Sequence, residues 1–192
     1  MQHIEVAAPM RGTSARNKRL LALLAAIALA PIVFSYLAYY AWPRDSRLNY
    51  GELLSGTLPR IVGTRQDGSA FDSNDVRGRW LVLHVAPGDC SGRCAGSLYA
   101  SRQARTIQNA ERERVVRVWL VNGGPEPAPG LLAEHPDLAA VRVPAAPALP
   151  RGTERIYLVD PLGNFVLAWP SKPDIKAMAK DLGRVLRASS IG

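Results

Sequence analysis

The sequence predicts an α/β fold, a sheet flanked by helices, set behind one N-terminal helix that crosses a membrane. Three observations carry this expectation. Residues 20–42, "LLALLAAIALAPIVFSYLAYYAW", run for 23 residues without a charge. Beyond them, β-branched runs of strand length alternate with longer stretches of helical character. The two cysteines of the 192-residue chain, Cys90 and Cys94, fall between one such run and the helix expected after it.

The elements follow in order. Residues 1–19 form a basic tail, with Arg11, Arg16, Lys18 and Arg19 against Glu5. As a helix, residues 20–42 cover roughly 34 Å, enough for a bilayer core of roughly 30 Å. Pro31 does not bar such a helix from lipid. Tyr36, Tyr39, Tyr40 and Trp42 gather at its far end, where aromatic rings favour the interface. A cleaved signal is the competing reading, with "ALA" at 28–30 as a cleavage site, but Pro31 follows at once and the apolar run continues. A buried core helix needs fewer charge-free residues. Retention of the basic tail in the cytoplasm makes the chain a single-pass, N-in protein. In a bacterium the anchor lies in the inner membrane and the main domain faces the periplasm.

Residues 43–57, "PRDSRLNYGELLSGT", read as a polar juxtamembrane tether, and residues 58–192 as the exported domain. "LPRIVGT" is a first strand, and Asp67-Gly68 marks a hairpin turn. "GRWLVLHVA" is a continuous apolar run, the pattern of a central strand covered on both faces. Residues 95–112 follow as a helix, with Leu98, Tyr99, Ile107 and Ala110 as its apolar stripe. "VVRVWLVN" is the next strand, then a Pro- and Gly-rich loop with a short helix near 131–135, then "LAAVRVP". "RIYLVD" and "NFVLAWP" pair across a turn at Asp160–Asn164. "DIKAMAKDLGRVLR" closes the chain with Ile175, Met178, Leu182 and Val185 at helical spacing. This order is that of a thioredoxin-like sheet with helices on its faces.

The formal net charge is +8, but the arginines are scattered, and an exported domain meets no chromosome. Nucleic-acid binding is thereby excluded, and lipid headgroups or an acidic partner are the better use of that charge. The cysteines carry the chemistry. Cys90 at a strand end and Cys94 in the first helical turn share a face, which suits a disulfide or joint coordination of one ion. The helix N-terminus and Arg93 favour thiolate at Cys90. Thiolates are soft ligands for Cu(I), so redox work and copper both fit. A merely structural disulfide closing three residues restrains little of the unfolded chain. Structural zinc wants four side-chain ligands and the chain has two cysteines.

"DGSAFDSNDVRGRWLVLHVAPGDCSGRC", "RIYLVDPLGNFVLAW" and the anchor ahead of them resemble the Sco family of cytochrome c oxidase assembly proteins. The likeness is to its divergent single-span bacterial members and covers roughly residues 16–192. It implies copper as cargo, held by two cysteines and a histidine for delivery to the copper-bearing subunit of the oxidase, and thiol–disulfide exchange by the same cysteines. Cys90 and Cys94 carry over as that pair. The family's histidine lies five residues before the hairpin tyrosine, and counting back from Tyr157 gives Gly152. The prolines usual after each cysteine are Ser91 and Ala95 here.

Other residues are weaker candidates. His84, six residues before Cys90, reads as a core histidine of its strand, and His135 as a solvated loop residue. His3 lies on the cytoplasmic side. Asp89 is a loop carboxylate beside Cys90, and Asp160 belongs to its turn. Pro87 occupies the place where a peroxiredoxin needs threonine, so peroxidase activity is not expected. Three readings remain open: an oxidase assembly factor handling Cu(I) or reducing the oxidase's copper-site cysteines; a tethered thiol–disulfide reductase of other exported proteins, with Cys90 attacking and Cys94 resolving; and a scaffold without catalysis.

Overall fold

The computed structural model describes residues 15–41 and 49–191, which fall into two units. The first holds α1 (Ala15–Ala41), one helix continuing through Pro31. Its stretch Asn17–Leu37 has mean hydropathy 2.5 and none of it is buried, so by length and composition it is a candidate membrane span. A helix apolar all round has no polar face to give to water, which is the pattern lipid requires. The expected tail through Ser14, Trp42 and the tether residues up to Leu48 lie outside the described residues.

The second unit is built on one eight-stranded sheet. Its elements are β1 (Glu52–Leu53), β2 (Val62–Arg65), β3 (Ala70–Asp72), β4 (Trp80–Ala86), α2 (Arg93–Thr106), β5 (Val115–Val121), α3 (Pro129–Ala133), β6 (Leu138–Arg142), β7 (Arg155–Val159), β8 (Phe165–Pro170) and α4 (Ile175–Ala188). The strand order is β1-β8-β7-β4-β5-β6-β2-β3. β4, β5 and β6 run parallel, joined by crossovers through α2 and α3, and every other pairing is antiparallel. This is the thioredoxin-like arrangement that the element order implies.

β4 shows why its sequence is apolar but for His84. Leu81, Leu83 and Val85 pack with Phe71, Val118 and Tyr157 on one face. Trp80 and Val82 pack on the other with Leu158, Trp169 and the α4 residues Met178 and Leu182. Alternation places consecutive residues on opposite faces, so a strand covered on both sides needs no polar position. α4 keeps its expected stripe, and Asp174 caps it, its Oδ1 accepting from Ala177 N at 2.7 Å.

Two expectations are corrected. Residues 49–57 are not tether but part of the domain. β1 pairs with β8, and the buried Asp181 carboxylate accepts from Tyr50 N at 3.1 Å, Gly51 N at 2.7 Å and Trp169 Nε1 at 3.1 Å. A carboxylate only 2 % exposed needs such donors, and the chain supplies them from this segment. The helix after the cysteines ends at Thr106, with a 3₁₀ turn at Asn109–Arg114 following it. Its buried face is Ser97, Leu98, Ala100, Ser101 and Ala104, whereas Tyr99 and Ile107 are half exposed. The sheet beneath is itself polar there, so the helix matches it with small and hydroxylic residues.

Candidate functional site

The cysteine segment is shaped by two glycines. Gly88 packs so closely on the 123–125 loop that a Cβ would lie 1.8 Å from Pro125 O, and its N–H donates to Gly123 O at 3.0 Å. Gly92 takes φ +51° just before α2, a conformation that a side chain disfavours. Cys90 and Cys94, on either side of Gly92, form a disulfide with Cα atoms 5.3 Å apart. Cys94 lies in the first turn of α2, as expected, while Cys90 stands in the loop four residues past the end of β4.

The two sulfurs meet different surroundings. Cys90 is half-buried against the cluster of Leu98, Trp119, Val121 and Ala140. Cys94 lines an open cavity of about 440 Å³ whose walls include His84, Asn122, Thr153 and Arg155. The cavity lies at the carboxyl ends of β4 and β5, the edge where parallel strands in α/β sheets commonly form sites.

A polar cluster lies under α2. His84 Nε2 shares a 2.9 Å hydrogen bond with Ser101 Oγ, and Nδ1 lies 3.4 Å from Ser97 Oγ. Ser97 in turn donates to Cys94 O at 2.8 Å, tying the imidazole to the first turn of the helix. Arg117, fully buried in β5, donates to Ser101 Oγ at 3.2 Å, Leu98 O at 2.6 Å and Asp137 Oδ1 at 3.0 Å. Burial first, then the Arg117 and His135 charges, push the His84 imidazolium down to about 3, so the ring is neutral at physiological pH. Burial alone would raise Asp137, but the charge and hydrogen bond of Arg117, the Arg105 charge and a backbone hydrogen bond together outweigh it and hold the carboxyl below its usual range.

His84 is a core histidine, 3 % exposed, yet it also borders the cavity beside Cys94, which six residues of separation did not suggest. His135 is not solvated: it is 2 % exposed, and its Nδ1 finds no partner among the described residues. Its backbone closes the turn after α3, receiving from Leu138 N at 3.0 Å and donating to Leu132 O at 2.8 Å, which draws the ring inward. Asp89 is exposed in its turn. Asp160 works within the hairpin, its Oδ1 accepting from Leu162 N at 2.9 Å and Asn164 N at 2.8 Å. His3 lies outside the described residues.

Gly152 stands next to the cavity wall, with its carbonyl accepting from Tyr157 Oη at 2.6 Å. No imidazole is supplied from that place. Among the described residues no three His, Cys, Asp or Glu side chains converge as a metal-binding group. Once the disulfide is reduced, the donor set at the site is therefore two thiols. It fits two-coordinate Cu(I), which accepts a pair of soft thiolates, and does not fit a site needing a third protein ligand. Asn122, Thr153, Arg155 and Ser97 escape sequence reasoning altogether. The available signal was position, since Asn122 directly follows a strand parallel to the one that leads to Cys90.

Residues 80–189 match the model of a family described as transmembrane-like, thioredoxin-like, C-terminal domain. Solved structures share the fold. Copper-bound ScoI from Arabidopsis thaliana has a TM-score of 0.57 at 18 % identity, covering 70 % of this chain and 100 % of that one. Apo Sco1 from Thermus thermophilus gives 0.57 at 16 %, covering 75 % and 98 %. The thioredoxin domain of a thiol-disulfide oxidoreductase from Bacteroides vulgatus gives 0.52 at 15 %, covering 70 % and 99 %. No curated protein sequence matches the chain.

Proposed function

The chain belongs to the transmembrane-like, thioredoxin-like C-terminal domain family, and from that premise we propose a membrane-anchored dithiol–disulfide protein that serves respiratory oxidase assembly. α1 holds it in the bacterial inner membrane with the N-terminus in the cytoplasm, and the domain works on the periplasmic side. The observation that carries the reading is the Cys90–Cys94 pair: bonded, at a helix N-terminus, half-exposed, and open to a cavity on the Cys94 side.

The chemistry is two-electron exchange. In the reduced pair, Cys90 stands ahead of the first turn of α2, where the helix end favours the anion. Its thiolate attacks a substrate disulfide R–S–S–R′, forming Cys90–S–S–R and releasing R′–S⁻, which takes a proton from water. Cys94 loses its proton, attacks the Cys90 sulfur and releases R–S⁻. The substrate gains two electrons and the protein ends as the Cys90–Cys94 disulfide. An exported dithiol reductant restores the pair. The substrate that fits the resemblance is the oxidised cysteine pair of the oxidase's copper-bearing subunit, which must be reduced before it takes metal.

A second reading is Cu(I) transfer by the same two thiolates. Copper-bound relatives of the fold and the soft donor pair support it. The two are separated on the full-length protein in detergent. Reduced protein is mixed with an oxidised soluble fragment of the copper-bearing subunit, and an anaerobic Cu(I) competition titration runs alongside. The redox reading predicts two thiols appearing in the fragment per protein, lost in Cys90→Ser and Cys94→Ser. No transfer beside one tight, cysteine-dependent Cu(I) per protein makes copper delivery the function instead.

A further inference from the structure

α4 has two unlike faces. Met178, Ala179, Leu182 and Leu186 pack on the sheet. The other face carries Lys176, Lys180 and Arg184 at steps of four, with Lys172 just ahead of the helix and Arg187 one turn beyond. Residues so spaced lie one above another on a helix surface. Arg184 reaches the Asp181 carboxylate at 3.4 Å. Lys172, Lys176, Lys180 and Arg187 are exposed, and none of the four forms an ion pair among the described residues. The nearby carboxylates are engaged. Asp174 caps the helix, Asp181 is buried on Tyr50, Gly51 and Trp169, and in the adjoining 3₁₀ turn Glu111 pairs with Arg114 and Glu113 with Arg112. Arginines far from α4 are neutralised one by one, Arg60 by Asp72 and Arg142 by Glu126.

The stripe runs beside the place where the chain enters the domain. Asn49 Oδ1 accepts from Arg184 at 2.5 Å, and Tyr50 Oη accepts from Asp174 N at 3.1 Å. Asn49 comes eight residues after Ala41, the last residue of α1. Eight residues reach at most roughly 29 Å along any path. A compact domain of this size is wider, roughly 35 Å. The face next to Asn49 is therefore the one that an anchor keeps near the bilayer. Tyr50, 41 % exposed, adds an aromatic ring of the kind that favours the interface.

We propose that the α4 stripe docks on the anionic phospholipid headgroups of the membrane that anchors the chain. Its ammonium and guanidinium groups pair with lipid phosphates, an attraction that accumulates with each basic residue. This rests on the anchor reading and adds an orientation to it. Ser171, the neighbour of Lys172, lines the cysteine cavity. The docked domain thus holds that cavity at headgroup height, within reach of substrates that are themselves membrane-bound.

Three of the chain's four lysines stand in the stripe, so amine acetylation reads this face. Full-length protein is placed in nanodiscs of phosphatidylcholine, alone or with roughly one phosphatidylglycerol in three. Both samples are acetylated with an N-hydroxysulfosuccinimide ester and the rates at Lys172, Lys176 and Lys180 are read by peptide mass spectrometry. The proposal predicts acetylation roughly fivefold slower in the anionic discs. The difference should vanish between about 0.1 M and about 1 M salt, as the screening length falls from about 10 Å to about 3 Å. In anionic discs, Lys176→Gln with Lys180→Gln should restore the Lys172 rate, whereas Arg60→Gln with Arg142→Gln, at the other end of the sheet, should not. Equal rates in the two kinds of disc overturn the proposal, as does a slowing that survives the lysine pair of substitutions or yields to the arginine pair. Retention in neutral discs reads α1 alone and no thiol takes part, so failure of docking is distinct from failure of the anchor or of the dithiol reading.

Discussion

α2 and α4 cover the same face of the sheet by opposite means. α4 lays Met178, Ala179, Leu182 and Leu186 onto Trp80, Leu158, Leu167 and Trp169, a mainly apolar contact in which the buried Asp181 carboxylate is the one charged member. α2 brings Ser97 and Ser101 beside Leu98 and meets His84 and the buried Arg117. The first helix is held by area removed from water, which depends little on pH. The second is held by a satisfied polar network, whose strength depends on every member being present and in the right protonation state. The helix that carries Cys94 is thus the one whose seat is electrostatic, and the cavity opens beside it. The fold places its more polar contact under the cysteine pair and its more apolar contact away from it.

The comparison breaks most visibly at Arg117. Arg117→Leu takes one donor each from Asp137, Ser101 and the Leu98 carbonyl, and leaves the buried side of Asp137 with only the longer Arg105 pair at 3.4 Å; it is expected to cost about 4 kcal/mol, read from urea unfolding at pH 7. Leu182→Ala probes the apolar helix. It is expected to cost about 3 kcal/mol, by the same amount at pH 5 and pH 8, whereas a pH-dependent cost there would erase the distinction between the helices.

Acid sharpens it further. The His84 imidazole in the native protein stays neutral down to about pH 3, while in the unfolded chain it takes up a proton near 6.5. The unfolded state binds more protons in that window, so stability falls as pH drops from about 6.5 towards 3. By pH 5 the loss is about 2 kcal/mol. His84→Gln should flatten this slope in unfolding curves measured at half-unit steps, and Leu182→Ala should leave it intact. The smallest effect lies at the start of α4. Asp174→Ala removes the cap on Ala177 N and should cost about 1 kcal/mol, again equally at pH 5 and pH 8.

Much of this was legible in the residues. The continuous apolar run "RWLVLHVA" is β4, the Asp67-Gly68 pair turns the β2–β3 hairpin, and the 3.6-residue spacing of Met178 and Leu182 marks α4. Each is a local pattern with one physical cause. β1 was hidden because two residues of an edge strand carry no periodicity, and what holds them is pairing with β8 and a carboxylate that binds the preceding residue from 130 positions away. α2 misled because its buried face is built from serine and alanine, which no hydrophobic pattern reveals. At the site, Cys90 and Cys94 stood out by chemistry. Asn122 and Thr153 did not, because their place depends on where the β4–β7 ladder ends, and register is a property of the folded sheet. Arg117 does carry a signal: a charge inside "VVRVWLV" implies either an edge position or a buried partner.

The measurement that bears most directly on the account is the redox equilibrium of the full-length protein in glutathione buffers, with the Cys90–Cys94 bond followed by thiol labelling. An exchange-active pair is predicted to titrate reversibly with two electrons at roughly −270 to −120 mV, the range of thiol–disulfide exchange proteins. A bond that resists reduction until below about −300 mV behaves as a structural staple, and that result would contradict the assignment of Cys90 and Cys94 as the working pair.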